Sequence, residues 1–204
     1  MRNLVIFGDM SFAERLYAYI SQESIDKVVA FTQERDFITR KEIQSNPVLP
    51  FEELRERLSG TDFSILLGIG YTNMNDLREK IYNMCEASGY QVASYISSKA
   101  ICYSDAISLG TIILPNVMIG PGCKIGKGNF FAASCAISHD SEIGDFNFFS
   151  TNVVMGGHVN IDNNCFIGLH STIKNDVHID CYTLVGSSAN LLKSTHCQGG
   201  GVHW

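Results

Sequence analysis

An α/β sheet of modest size followed by a parallel β-helix is the fold that the 204-residue sequence predicts. The first observation behind it is an apolar residue at every sixth position through the second half of the chain. The second is a compact residue four positions after most of these anchors. The third is an alternation of strand-like and helix-like segments before residue 97.

The anchors run Ile101, Ile107, Ile113, Ile119, Ile125, Phe131, Ile137, Ile143, Phe149, Met155, Ile161, Ile167, Ile173, Ile179, Val185 and Leu191, which reads as sixteen hexads without an insertion. An α-helix would repeat at 3.6 residues and a flat strand at two, so a strict six implies a coil of short strands and corners. One hexad cannot bury its apolar face alone, and stacked coils give a continuous column. Three hexads to a turn make roughly five coils. The second register holds Thr111, Val117, Cys123, Cys135, Ser141, Val153, Val159, Cys165, Ser171, Val177, Thr183, Ala189 and Thr195. Glycine often follows the anchor directly, as at Gly120, Gly126, Gly144, Gly156, Gly168 and Gly186, where it is expected to relieve the backbone angles of a tight corner.

Residues 1–97 form the first predicted domain and 98–204 the second. In the first, Asn3–Gly8, Lys27–Phe31, Phe63–Gly68 and Gln91–Ile96 read as strands, and Phe12–Ser21, Phe51–Leu58 and Asp76–Ala87 as helices. This order predicts a small parallel, Rossmann-like sheet with ligands beyond the carboxyl ends of its strands. That rule makes Gly8, Asp9, Met10 and Ser11, and likewise Gly70, Tyr71, Thr72 and Asn73, candidate ligand contacts. The dinucleotide fingerprint G-x-G-x-x-G is reduced to its first glycine in Gly8-Asp9-Met10-Ser11-Phe12-Ala13. The turn reads either as a plain strand-to-helix connection or as a nucleotide-sugar pocket, not as an NAD site.

Composition excludes several classes. The formal net charge of −6 argues against a nucleic-acid backbone as partner. No apolar run spans a bilayer, and the N-terminal stretch is too short for a signal peptide. The seven cysteines contain no C-x-x-C pair, so no zinc site is expected, and their odd number fits a reducing cytoplasm. Packing explains Cys123, Cys135 and Cys165 in the compact register.

His139 follows the anchor Ile137 by two residues, a position expected to project from the coil. Asp140 beside it is placed to orient an imidazole base and favour its charged form. One coil on, Gly156 and Gly157 are placed to offer a backbone N–H to an oxyanion. His158 lies near the same groove and reads either as a lining residue or as surface. His170 and His178 read as surface residues, and His196 and His203 fall in the C-terminal tail.

The segment Ile137-Ser138-His139-Asp140-Ser141-Glu142-Ile143-Gly144-Asp145-Phe146, with Asn164–Gly168 and Gly70–Arg78, resembles the sialic acid O-acetyltransferase-like family of hexapeptide-repeat sugar O- and N-acyltransferases. The resemblance covers nearly the whole chain. It implies that the β-helix is left-handed, against the usual right-handed crossover. It implies an acyl-CoA co-substrate (acetyl-CoA by default), no metal, a homotrimer with the site between neighbouring β-helices, and the amine of a nucleotide-linked amino-deoxysugar as acceptor. His139 and Asp140 take the catalytic positions. Phe148, Gly156, Gly157, Leu169 and Ser187 align with coenzyme-contacting positions, Phe148 standing where some relatives have a histidine. Thr32 and Gln33 stand where the amino-sugar enzymes carry an acidic pair after the second strand. The tail Gln198–Trp204 departs from the family's usual ending. A sialic-acid-like O-acetylase, a transferase of longer acyl chains and a non-catalytic sugar-nucleotide-binding protein remain alternatives.

Overall fold

The computed structural model describes residues 1–23 and 26–195, together with the backbone of 202–203. His196 and the rest of the tail lie outside the described residues. The chain forms two compact units, one of residues 1–70 and 80–93, the other of residues 71–79 and 94 onward.

The first unit is built on β1 (Asn3–Phe7), α1 (Ser11–Glu23), β2 (Lys27–Gln33), β3 (Glu42–Ile43), β4 (Asn46–Pro50), α2 (Leu54–Arg57) and β5 (Ser64–Leu67). Its sheet order is β3-β4-β2-β1-β5. The pairs β1–β2, β1–β5 and β2–β4 are parallel, and β3–β4 is antiparallel. Leu4, Val5, Ile6, Ile65, Leu66 and Leu67 are fully buried, as befits parallel strands covered on both faces. Helix α1 turns Ala13, Leu16 and Ile20 inward, the three- and four-residue spacing of one helical face.

Three sequence expectations shift here. The β3–β4 hairpin was not anticipated. Its turn residues Gln44 and Ser45 both adopt positive φ, a conformation usually signalled by Asn-Gly. The expected helix over Phe51–Leu58 is a 3₁₀ turn, Phe51–Glu53, running into the single turn of α2, since Phe51 and Leu54 alone supply its buried face. The expected strand Gln91–Ile96 divides. Val92 makes an isolated bridge to Ile65, whereas Tyr95–Ile96 pairs with Ile112–Ile113 in the second unit. The long helix α3 (Asp76–Ala87) forms as expected.

The second unit is a left-handed parallel β-helix. Two-residue strands stack into three faces, with seven, six and four strands among the described residues. Face one includes Ile112–Ile113, Phe130–Phe131, Phe148–Phe149, Phe166–Ile167 and Leu184–Val185. Face two includes Met118–Ile119, Ala136–Ile137, Val154–Met155, Thr172–Ile173 and Asn190–Leu191. Face three holds Lys124–Ile125, Glu142–Ile143, Asn160–Ile161 and His178–Ile179. The second residue of each of these strands is an anchor, and all are buried in one column. Within it Phe131 and Phe149 stack at 4.5 Å and 13°.

The anchor column begins at Ile107, not Ile101. Cys102, not Ile101, pairs with Ile119, while Ile107 pairs with Ile125. The step from Cys102 to Ile107 is therefore one residue short of a hexad, and Ile101 is turned outward at 54% exposure.

The corner glycines also play a different part from the one expected. Positive φ falls on the third residue after the anchor, as at Asn116, Ser134, Asp140, Asn152 and His158. The glycine directly after the anchor serves coil-to-coil approach instead. A Cβ on Gly120 would lie 2.9 Å from the backbone N of His139, and one on Gly126 would lie 2.5 Å from Gly144 O.

The compact register hides two interior amides, Asn129 and Asn147, both fully buried. Asn129 Nδ2 donates to the carbonyls of Gly126 and Gly144 at 2.8 Å each. Asn129 Oδ1 accepts from Asn147 N–H, and Asn147 Oδ1 from Cys165 N–H. The amides thus satisfy Gly144 O and the N–H groups of Asn147 and Cys165, which would otherwise be stranded in the core. Cys135 and Cys165 fill the same register as packing groups, and burial pushes both thiols up to about 12.

Candidate active site

The corner between faces two and three carries a stacked set of unusual residues. Ile137 ends a strand, Ser138 follows, and His139 and Asp140 form the turn, with Asp140 at φ +54°. Aspartate tolerates this left-handed conformation better than most residues. Asp140 N–H donates to Pro121 O at 2.9 Å, which pins the corner to the preceding coil. His139 O accepts from His158 N–H at 3.1 Å, which pins it to the next.

His139 Nδ1 lies 2.9 Å from Asp140 Oδ2. An ionised carboxylate only accepts, so the proton of a neutral imidazole belongs on Nδ1 and the lone pair on Nε2. Two glycines make room for this pair. A Cβ on Gly122 would sit 2.2 Å from Asp140 Oδ1, and one on Gly157 would sit 2.7 Å from His139 Cε1 and Nε2. The carboxylate lies over Gly122 and the imidazole over Gly157, while both side chains stay about half exposed. The His158 ring meets that of His139 edge-on, with centroids 5.1 Å apart and planes at 90°. Chemically, the corner offers an oriented base on an accessible surface.

Of the two glycines expected to supply an oxyanion donor, Gly156 does not qualify, because its N–H donates to Ile173 O at 2.9 Å. Gly157 accepts from Asp176 N–H through its carbonyl, and its own N–H takes no part in the coil-to-coil ladder.

The other expected coenzyme contacts lie elsewhere on the coil. Leu169 and Ser187 are exposed on the corner between faces one and two. Phe148 lies on the outer side of face one. It is 7% exposed and stacked between Phe130 at 4.6 Å and Phe166 at 5.7 Å, with Tyr71 above it at 5.3 Å. Phe148 is thus held as the middle ring of an aromatic ladder on face one.

Tyr71 and Asn73 are corrected as well. They were expected at the end of the α/β sheet. Instead Tyr71 packs on Phe148 and Phe166 of the β-helix, and Asn73 Nδ2 donates to Asp76 Oδ2 at the start of α3. The same segment places Asn75 Nδ2 on Cys165 O at 3.0 Å, Glu79 Oε2 on Asn164 Nδ2 at 3.0 Å, and a fully buried Arg78 guanidinium over the Phe130 ring. Burial lowers the Arg78 pKa to about 9. A run with no strong apolar period gave no sign of this docking.

In the α/β unit, Gly8 has φ +126°, and a Cβ there would meet Gly68 O at 2.7 Å, so the glycine is needed for the strand ends to approach. Asp9 is buried, and its Oδ2 accepts from the N–H and hydroxyl of Thr39. Thr32 is fully buried with its hydroxyl donating to Leu49 O, and its carbonyl accepts from Gly8 N–H. Both side chains are committed to the fold, contrary to their expected place among ligand contacts. Gln33 is half-buried, with Oε1 accepting from Glu34 N–H. Met10 is 60% exposed, Ser11 opens α1, and Gly70 lies beside the Phe12 ring.

These coils define a hexapeptide-repeat β-helix preceded by an α/β unit. No protein-family model matches the chain. Solved structures do. A histidine-to-alanine mutant of GDP-perosamine N-acetyltransferase from Caulobacter crescentus, in complex with CoA and GDP-perosamine, matches at TM-score 0.85 and 19% identity, over 99% of this chain and 94% of that one. The acetyltransferase domain of PglB from Neisseria gonorrhoeae matches at TM-score 0.79 and 18% identity, over 99% and 97%. WeeI from Acinetobacter baumannii matches at TM-score 0.80 and 21% identity, over 95% and 93%. No helix among the described residues is long and apolar enough to cross a membrane.

Proposed function

We propose that this protein is a sugar N-acyltransferase of the sialic acid O-acetyltransferase-like kind. It moves an acyl group, acetyl by default, from acyl-CoA to the amine of a nucleotide-linked amino-deoxysugar, in the cytoplasm and for surface polysaccharide biosynthesis. The observation that carries this reading is the His139–Asp140 pair seated over Gly157 and Gly122 on a β-helix corner. The likeness to an N-acetyltransferase solved with CoA and GDP-perosamine supports the choice of donor and acceptor.

In this mechanism the sugar amine attacks the thioester carbonyl carbon. The C–N bond forms, the C–S bond breaks, and the thiol of coenzyme A leaves. Asp140 accepts from Nδ1–H and holds the imidazole in the tautomer whose Nε2 takes the amine proton, which then passes to the departing sulfur. Gly157 N–H is the amide available to the oxyanion. Residues 1–97 hold the sugar nucleotide, with Gly8, Met10, Ser11, Gln33 and Gly70 as contacts, and residues 98–204 carry out the transfer. Coenzyme A runs past Leu169 and Ser187. These lie on a different corner from His139, which favours a homotrimer in which one chain's corner completes its neighbour's site.

The test is thiol release from acetyl-CoA with UDP-, dTDP- and GDP-linked amino sugars. Turnover on one of them that falls about 10²-fold or more in His139→Ala supports the mechanism. Turnover unaffected by the substitution removes His139 as the base. No turnover with any amino sugar, while coenzyme A still raises the melting temperature, points to a hydroxyl acceptor or a longer acyl donor.

A further inference from the structure

The corner that bears His139 holds a second imidazole, His158, which the mechanism above leaves unused. The proton count of the reaction gives it a task, and this inference rests on the transferase reading.

An aliphatic amine is largely protonated at neutral pH. An acceptor that arrives as an ammonium therefore sheds two protons. The first leaves before the nitrogen lone pair can attack the thioester carbon. The second leaves as the C–N bond forms. When the C–S bond breaks, the departing sulfur takes one proton and becomes the free thiol. The balance is ammonium plus thioester giving amide, thiol and one H⁺, and that last proton has to reach bulk water. His139 Nε2 meets the amine and holds one proton at a time, so it must be unloaded between the two steps while the sugar is still bound.

The geometry places His158 to unload it. The two ring centroids are 5.1 Å apart. A nitrogen of each ring and a carboxylate oxygen of Asp140 lie within 4.8 Å of one another. One bridging water covers such a gap, since two hydrogen bonds of about 2.8 Å at a near-tetrahedral oxygen span about 4.6 Å. The His139 ring lies over Gly157, where a Cβ would stand 2.7 Å from Nε2, so Nε2 reaches toward the turn that carries His158.

Backbone and exposure complete the arrangement. His158 adopts φ +56°, a left-handed conformation that histidine enters more readily than most residues. Its N–H donates to His139 O at 3.1 Å, which ties the two turns together. His158 is exposed, so a proton that reaches it is in contact with solvent. The same corner of the next coil carries Lys174 and Asp176, an ammonium and a carboxylate. Imidazole is the side chain that both takes up and gives up a proton around neutral pH.

We propose that His158 is the proton exit of the site. His139 Nε2 takes the first proton from the ammonium and passes it through water to His158, which delivers it to bulk solvent. His139, neutral again, takes the second proton as the amide forms and gives it to the sulfur. Asp140 accepts from Nδ1–H throughout.

The test is kcat for thiol release at saturating acetyl-CoA and amino sugar, for the parent and His158→Asn, in dilute buffer and then with added imidazole. Asparagine also tolerates positive φ, so the corner keeps its backbone, which an unchanged melting temperature verifies. The expected result is a kcat about 10-fold lower in dilute buffer, with KM for both substrates unchanged and kcat restored by imidazole, which carries the proton in place of the side chain. A purely structural role would lower kcat without that restoration. A kcat unaltered by the substitution overturns the proposal, as does a loss that imidazole does not restore. In both cases turnover by the parent leaves the transferase reading standing. Turnover by the parent on a hydroxyl acceptor alone also overturns the proposal, because an alcohol has one proton to shed and the sulfur takes it. A parent that neither turns over nor binds coenzyme A removes the transferase reading and the proton exit together.

Discussion

Replacing Gly157 with alanine tests whether the seat of the imidazole matters. The new methyl group would stand 2.7 Å from Cε1 and Nε2 of His139 and 3.1 Å from Nδ1. Ordinary van der Waals contact begins at 3.4 Å, so the ring must retreat by about 0.7 Å or tilt off the corner. Either movement disturbs the 2.9 Å contact with Asp140 that sets the tautomer. A misplacement approaching 1 Å costs about 10² in rate, or about 2.7 kcal/mol of barrier. Gly157 has no positive φ, so alanine brings no backbone strain, and the imidazole is half exposed, so stability should move by no more than about 0.5 kcal/mol. The assay is kcat for thiol release from acetyl-CoA, with the melting temperature measured on the same preparation. If Gly157→Ala keeps kcat within about 3-fold of the parent while His139→Ala loses about 10², the seat is irrelevant and the positional argument is refuted.

Other outcomes follow from the β-helix interior. Phe149→Ala removes a fully buried ring stacked on Phe131 and should cost about 3–5 kcal/mol in urea unfolding. A loss below about 1 kcal/mol would mean that the column collapses around the gap. Asn129→Leu strands the carbonyl of Gly144 and the N–H of Asn147, while Gly126 O keeps the Thr111 hydroxyl, at about 1–3 kcal/mol per stranded group, again read from the urea midpoint. Burial raises the thiols of Cys85, Cys135 and Cys165 from 9.0 to about 12, so in the native protein at pH 8 they should ignore a thiol reagent that labels them at once in denaturant. The same shift has a linkage consequence. The native state keeps these protons where the unfolded state loses them, so the contribution is intact below pH 9 and is lost as pH rises from about 9 toward 12. Urea midpoints that are equal at pH 8 and about pH 10.5 would contradict it.

Much of the molecule was legible from one dimension because a β-helix repeats locally. Each anchor from Ile107 to Ile173 meets the anchor eighteen residues on, so sequence spacing and spatial stacking are the same quantity. The His139–Asp140 pair was legible for the same reason, since adjacent residues at a corner cannot be far apart.

What the spacing could not carry were the contacts that leave the repeat. The outward turn of Ile101 depends on the short step before Ile107, which an apolar pattern does not register when the misplaced residue is itself apolar. The β3–β4 hairpin rests on positive φ at Gln44 and Ser45, residues with no intrinsic preference for it.

The sequence by itself determined the coil, its period and the corner that bears the imidazole, because burying one anchor in six leaves no other regular solution. Only the tertiary structure decided that Tyr71 and Asn75 belong on the aromatic ladder of Phe148 and Phe166, that Thr32 and Asp9 are spent on holding loops, and that His178 stands between two stacked aspartates. Those outcomes are set by which buried polar groups find partners across the fold, and partner choice at long range has no period to read.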